Sequence, residues 1–292
     1  MTLSAEVYPI LVTGALGRLG RALGPRLRAD APSPDAVRLT DVHDLDVTDP
    51  SAVAEAMGRL RPRTVFHLAA WTDVDGAEAH PAEARRLNAD AAEVVARAAA
   101  AAGARVVHIS TDFVFDGTKA GAYVEDDPVR PLGVYGRTKA EGEERVRAAA
   151  PDGHLIVRTA WLYGAGNRDF IDAVLERARA GRPMRVVTDQ VGCPTWTEDL
   201  ARALVAMVAA GCRGTLHACG AGEASRHAMA VAALRAAGFD AVPEEITTAD
   251  LPPSAPRPAR AALSCERLAR ETGFRFPPWQ ESVRRYVGQL SC

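Results

Sequence analysis

The stretch Ile10-Leu11-Val12-Thr13-Gly14-Ala15-Leu16-Gly17-Arg18-Leu19-Gly20 sets a short apolar run directly before a G-x-x-G-x-x-G turn, with a helical pattern following over residues 18–29. Glycines in such a turn let the backbone approach a pyrophosphate, whose charge then sits at the positive end of the helix dipole. A glycine turn alone is weak evidence of a dinucleotide site. Its place after the first strand of an alternating pattern is what gives it weight.

That alternation continues through the first half of the chain. Residues 8–13, 36–40, 64–68, 105–110 and 154–159 read as strands, and residues 18–29, 51–60, 81–102 and 135–149 as helices. Right-handed helical crossovers between parallel strands predict an α/β fold, a Rossmann-like doubly wound parallel sheet. Past Trp161 the rhythm loosens: helical patterns over 169–179, 197–210 and 225–237 are separated by glycines and by the PPSAPRP stretch at 252–258. The expected organisation is a dinucleotide-binding domain over residues 1–165 and a smaller, mostly helical substrate-binding cap over 166–292, some of whose segments return to the first domain.

Composition excludes several classes. The 292 residues carry a formal net charge of −2, with no basic cluster or acidic tail, so nucleic acid is not expected as a partner. The start lacks a basic n-region, and no run reaches the roughly 18 apolar residues of a membrane span. A cytoplasmic protein without a membrane partner is expected. The five cysteines, Cys193, Cys212, Cys219, Cys265 and Cys292, are scattered without a CxxC pair, and most read as reduced structural thiols. No HExxH or HxxxH spacing occurs, so no protein-held metal is expected, and nothing in the sequence assigns a Mg2+.

Of the 35 basic residues only Lys119 and Lys139 are lysine. Each surviving lysine therefore raises a question of chemistry. Lys139 follows Tyr135 by four residues at the start of a helical pattern, so both project from one face. An ammonium near a phenol stabilises the phenolate and is expected to lower a pKa that is otherwise near 10. The fourth strand ends in Ser110-Thr111-Asp112, which places hydroxyls where open α/β sheets bind ligands; one of them can orient a substrate carbonyl beside Tyr135. Either hydroxyl could equally cap the strand end, and Asp112 could equally form an Asx turn. Asp41, at the end of the second strand, fits an acceptor for the adenosine ribose hydroxyls and favours NADH, with Arg18 partly offsetting its repulsion of a 2′-phosphate.

With these residues in view, the chain resembles an extended short-chain dehydrogenase/reductase, and more narrowly the dTDP-4-dehydrorhamnose reductase family. The segments that carry the resemblance are 65–78 (VFHLAAWTDVDGAE), 106–118 (VVHISTDFVFDGT), 131–143 (PLGVYGRTKAEGE), 155–164 (LIVRTAWLYG), 189–195 (DQVGCPT) and Arg257-Pro258. They occur in the family's order along nearly the whole chain. The resemblance implies Thr111, Tyr135 and Lys139 as the catalytic set. It implies a cofactor, NADH or NADPH, held by Gly14, Gly17, Arg18, Leu19, Asp41, Asp46, Val47, Ala69, Ala70 and Trp71 together with Tyr135 and Lys139. It implies a substrate site of Thr111, Asp112, Trp161, Gln190 and Arg257 for a dTDP-linked 4-keto-6-deoxy sugar, in a monomer or homodimer. The implied reaction is hydride transfer to C4 of dTDP-4-dehydro-β-L-rhamnose, with Tyr135 donating the proton.

Two departures from the family's pattern, Gly166-Asn167-Arg168-Asp169 before Phe170 and Ala261 in place of a serine, fall on the sugar-nucleotide side. They leave open another nucleotide-linked 4-keto-deoxyhexose as substrate. A non-catalytic regulatory subunit resembling the β subunit of methionine adenosyltransferase, and a nucleotide-sugar epimerase or dehydratase, are the further alternatives. The intact Thr111, Tyr135 and Lys139 oppose the first of these, and the DQVGCPT segment opposes the second.

Overall fold

Strand β1 (Ile10–Thr13) is enclosed on both faces, as a continuous apolar run requires, and it begins one residue after Pro9 because proline has no N–H to give to a ladder. The computed structural model describes residues 3–290, so Cys292 lies outside the described residues. After β1 come β2 (Val37–Leu39), β3 (Thr64–His67), β4 (Arg105–Thr111) and β5 (His154–Thr159). With the strand Gly214–His217 they form one six-stranded sheet in the order Gly214–His217, β5, β4, β3, β1, β2, every pair parallel. The chain reverses its direction of travel across the sheet between β1 and β3. A crevice therefore opens beyond the carboxyl ends of the strands at that point.

The helices cover both faces. In α1 (Arg18–Ala29), Leu19, Leu23 and Leu27 recur every four residues and are buried against the sheet. Helix α2 (Pro50–Leu60) starts at Asp49, whose Oδ1 accepts from the Ser51 and Ala52 amides. Then follow α3 (Val74–Ala79), α4 (Pro81–Arg85), α5 (Ala91–Ala101) and α6 (Val134–Ala149). The single helix expected over 81–102 is interrupted by a π turn, Arg86–Asp90, that carries a buried Asn88.

The second half divides in space. Helices α7 (Phe170–Arg179) and α9 (Arg226–Ala236) gather with the terminal helix Trp279–Leu290 around Leu175, Trp196, Met229 and Tyr286. By contrast α8 (Thr197–Ala209) buries Leu200, Leu204 and Val208 in the same cluster as the α1 leucines, and Gly214–His217 extends the main sheet beyond β5. Cys193, Cys219 and Cys265 are far apart in sequence yet converge near Leu263 as free thiols, with Cys219 Sγ 3.5 Å from Cys265 Sγ. Among the described residues no helix is long and apolar enough to cross a membrane, and no cluster of His, Cys, Asp or Glu forms a metal site.

Candidate functional site

A cavity of about 900 Å3 occupies the crevice, running from the glycine turn to Trp161. At one end Gly14 holds φ at 68°, and a Cβ there would lie 2.6 Å from the Ala69 amide nitrogen, so no larger residue fits. Gly17 begins α1 without any side-chain cap, which leaves the helix's first amides to the cavity. Asp41 braces this turn: its Oδ2 accepts from the Leu16 amide (2.8 Å) and its Oδ1 from Val42 (2.9 Å). Arg18 spans to the other half by donating to the carbonyls of Asn167 (3.0 Å) and Arg168 (3.3 Å). Asp46 is held below the usual carboxylate range by hydrogen bonds from the Thr48 hydroxyl and amide. Leu19, Asp46, Val47, Ala69 and Ala70 also line the cavity. An uncapped helix start, a turn that a Cβ would fill and a cleft of this volume fit a dinucleotide.

The other end holds the reactive groups. Tyr135 and Lys139 project from the first turns of α6, which approaches the end of β4 so closely that a Cβ on Gly136 would lie 2.2 Å from the Phe113 carbonyl oxygen. The Thr111 hydroxyl donates to Asp112 Oδ1 (2.9 Å) and accepts from the Phe113 amide (3.2 Å), beside the Tyr135 phenol. Burial pushes the Tyr135 phenol up to about 12; the Thr111 hydroxyl beside it opposes this and the Asp112 charge adds to it. The lowered tyrosine pKa expected from the Tyr-x-x-x-Lys spacing is therefore not found. Lys139 instead donates to the Ile109 carbonyl (2.6 Å), and burial pulls its ammonium down to about 8 against the charge of Glu143. Burial likewise pushes Asp112 up to about 7, against the Thr111 hydrogen bond and the charge of Arg226.

Behind Lys139 lies a buried polar network that the sequence reading did not identify. Glu143, one turn further along α6, accepts from Ser110 Oγ (2.6 Å) and, through both oxygens, from Arg158 Nε (2.8 Å) and Nη2 (2.7 Å). Burial pushes the Glu143 carboxyl up, and Arg158 with Ser110 more than offsets it, leaving it below the usual range. His67 and His108 stack at 5.4 Å, and burial together with the Lys139 charge holds both neutral, His67 down to about 3. The four-residue step from Lys139 to Glu143 was the one available signal for this network.

Not every expected residue reaches the cavity. Trp71 stands outside the lining, its amide donating to Asn88 Oδ1 (2.9 Å), while Asn88 Nδ2 donates to Thr138 Oγ1 (3.1 Å) on α6. Gln190 donates to Thr248 Oγ1 (3.1 Å) and lines a second cavity of about 890 Å3. Arg257 lines both cavities and pairs with Asp75 at 2.8 Å. Trp161 lines the main cavity with φ at 46°, and Arg226, absent from the expected set, stacks on its indole.

A family model described as RmlD substrate binding domain matches residues 8–292. A protein of Sinorhizobium fredii named dTDP-4-dehydrorhamnose reductase is 38% identical, the alignment covering 96% of this chain and 97% of the relative. The crystal structure of a dTDP-4-dehydrorhamnose reductase from Clostridium acetobutylicum superposes with a TM-score of 0.90 at 37% identity, covering 97% of this chain and 99% of the other. That of a dTDP-4-dehydrorhamnose reductase from Bacillus anthracis in complex with NADP gives 0.91 at 30% identity, covering 96% and 98%.

Proposed function

The chain belongs to the RmlD substrate binding domain family, and on that premise we propose that it is an NAD(P)H-dependent reductase of the C4 keto group of dTDP-4-dehydro-β-L-rhamnose, yielding dTDP-β-L-rhamnose in the cytoplasm. The observation that carries the reading is one continuous cavity with a phosphate-fitting glycine turn at one end and Thr111, Tyr135 and Lys139 at the other. The likeness to reductases of that name, one of them a complex with NADP, supports it.

In this reading the amides at the start of α1, with Gly14 and Gly17, receive the dinucleotide pyrophosphate, and Asp41 the adenosine ribose. Asp46 and Val47 border the adenine, Ala69 and Ala70 form the wall beside the nicotinamide, and Trp71 supports that wall through Asn88. Reduced nicotinamide, when bound, supplies the hydride. Tyr135 supplies the proton to the C4 oxygen, and the raised pKa keeps the phenol protonated, as a donor must be at neutral pH. Lys139 then offsets the phenolate left behind, while the Thr111 hydroxyl, turning its one proton from Asp112 to the C4 oxygen, holds the carbonyl beside the phenol. Asp112 and Trp161 border the sugar, with Arg257 and Gln190 on the side of the nucleotide. The first half of the chain thus serves the cofactor, and the residues beyond 166 mainly the sugar nucleotide.

The test follows the loss of reduced-nicotinamide absorbance with NADH and NADPH in parallel and enzymatically generated dTDP-4-dehydrorhamnose. Oxidation that yields dTDP-rhamnose is expected. Cofactor binding without turnover would refute this substrate and point first to another nucleotide-linked 4-keto-deoxyhexose, and then to a regulatory subunit.

A further inference from the structure

Arg226 is the first residue of α9, directly after Ser225, whose hydroxyl caps the helix by accepting from the Ala228 amide (3.0 Å). Its guanidinium lies 3.6 Å from the centre of the Trp161 ring and 5.3 Å from that of Phe170. Among the described residues this guanidinium takes part in no hydrogen bond and no ion pair, although it lines the same cavity as Thr111, Asp112 and Tyr135. Stacking satisfies the face of a guanidinium and leaves its edge, where the N–H donors are, unspent. Arg257, the other arginine beside it, is already engaged by Asp75.

Asp112 is the complementary case. Its Oδ1 accepts from Thr111, while Oδ2 is buried with no hydrogen-bond partner. The charges of Arg226 and Asp112 act on each other, yet no hydrogen bond joins them. Unspent donors and an unspent acceptor thus border one cavity beside the proposed proton donor. The buried Asp112 oxygen costs free energy until something pairs with it, and the partly buried Arg226 edge faces the same cavity. A hydroxyl group can pair with both, its oxygen accepting from the guanidinium and its proton going to the carboxylate.

We infer that Arg226 is a specificity-determining residue, donating from its seat on Trp161 to the sugar hydroxyl next to the reacting carbon while Asp112 accepts that hydroxyl's proton. This rests on the reductase reading above and names the part of the substrate that the site reads. The bare indole would border a sugar without distinguishing one ring hydroxyl from its absence; the arginine edge makes that distinction. Lysine at this position would keep the charge but lose the planar stack and the fixed fork of donors.

The experiment compares wild type with Arg226→Met and Arg226→Lys on two substrates, dTDP-4-dehydrorhamnose and the analogue in which the 3-hydroxyl is replaced by hydrogen. Affinity for dTDP alone and for NADPH is measured beside kcat and KM, and thermal melts confirm folding. Arg226→Met is expected to lose about 30-fold in kcat/KM on the 3-hydroxy sugar, as for a lost hydrogen bond from a charged donor. On the 3-deoxy sugar it should stay within about three-fold of wild type, with dTDP and NADPH affinities unchanged. Arg226→Lys should recover only part of the loss. Equal loss on both sugars, no loss on either, or weakened dTDP binding would overturn the assignment, the last by placing the guanidinium on the nucleotide instead. Wild-type turnover of neither sugar would refute the dTDP-4-dehydrorhamnose reductase reading itself, and this assignment with it.

Discussion

Replacing Glu143 with glutamine keeps the shape of the side chain and removes its charge, at a point where the fold and the chemistry meet. Arg158 and Glu143 expose only 2% and 1% of their side chains, so solvent cannot compensate the guanidinium once the carboxylate is gone. One of the glutamine's two terminal atoms would also present an N–H to an arginine N–H where an oxygen now accepts at 2.7 or 2.8 Å. Breaking a buried pair from one side in this way costs about 3–5 kcal/mol. At about 2.1 cal/mol/K of unfolding entropy per residue, the 292-residue chain should melt about 5–8 °C lower. Circular dichroism melts at pH 7 measure this directly. Glu143 has a depressed pKa in the fold, so its contribution is present above the unfolded value of about 4.3 and is lost as pH falls through the lower, folded one. The gap between wild type and variant should therefore shrink in acid. Removing the buried charges, with Glu143→Leu and Arg158→Met together, should recover part of the loss: Arg147, which also donates to Glu143 (2.8 Å), can turn to water, while the buried Ser110 hydroxyl loses its acceptor. A fall of under about 1 °C at pH 7, or a gap that widens on acidification, would refute the reasoning.

Glu143→Gln also removes the carboxylate that opposes deprotonation of Lys139, so the alkaline fall of activity should move to lower pH in the variant. In the wild type, kcat/KM should rise through pH about 7 as Asp112 ionises and fall through about 8 as Lys139 loses its proton; a flat profile between pH 5.5 and 9.5 would contradict both assignments. Tyr135→Phe removes the proton donor alone, and kcat should drop by about 10²–10⁴ with NADPH affinity within two-fold of wild type; near-parent turnover would remove the phenol from its role. Gly14→Ala forces a side chain into positive φ against the Ala69 backbone, so NADPH affinity measured by fluorescence titration should fall at least ~10-fold, and unchanged affinity would show the turn to be unimportant for the cofactor.

The parts of this site that could be read from sequence are those whose geometry is set within a few residues. The turn from β1 into α1 needs only Gly14, Gly17 and the apolar run before them, and the alignment of Tyr135 with Lys139 follows from helical rise alone. Asp112 was legible as a strand-end carboxylate, yet its raised pKa was not, because burial is a property of the whole fold. The same applies to Tyr135. Its spacing from Lys139 predicted a lowered pKa, but desolvation outweighs a lysine whose ammonium is turned to the Ile109 carbonyl. Arg158 is buried near the end of β5, where a charge is costly unless something meets it, and its partner Glu143 lies 15 residues earlier on another element. Arg226 is further removed: in sequence it is an ordinary first-turn residue behind a serine cap, and only the fold lays it across Trp161, 65 positions away. Local spacing identified the groups that act on the substrate. Of the groups that set their protonation, only Glu143 shows in short-range pattern, one turn from Lys139 on α6; Arg158, and the arginine we assign to choosing among sugars, reach the site from β5 and α9, and local spacing carries no trace of those pairings.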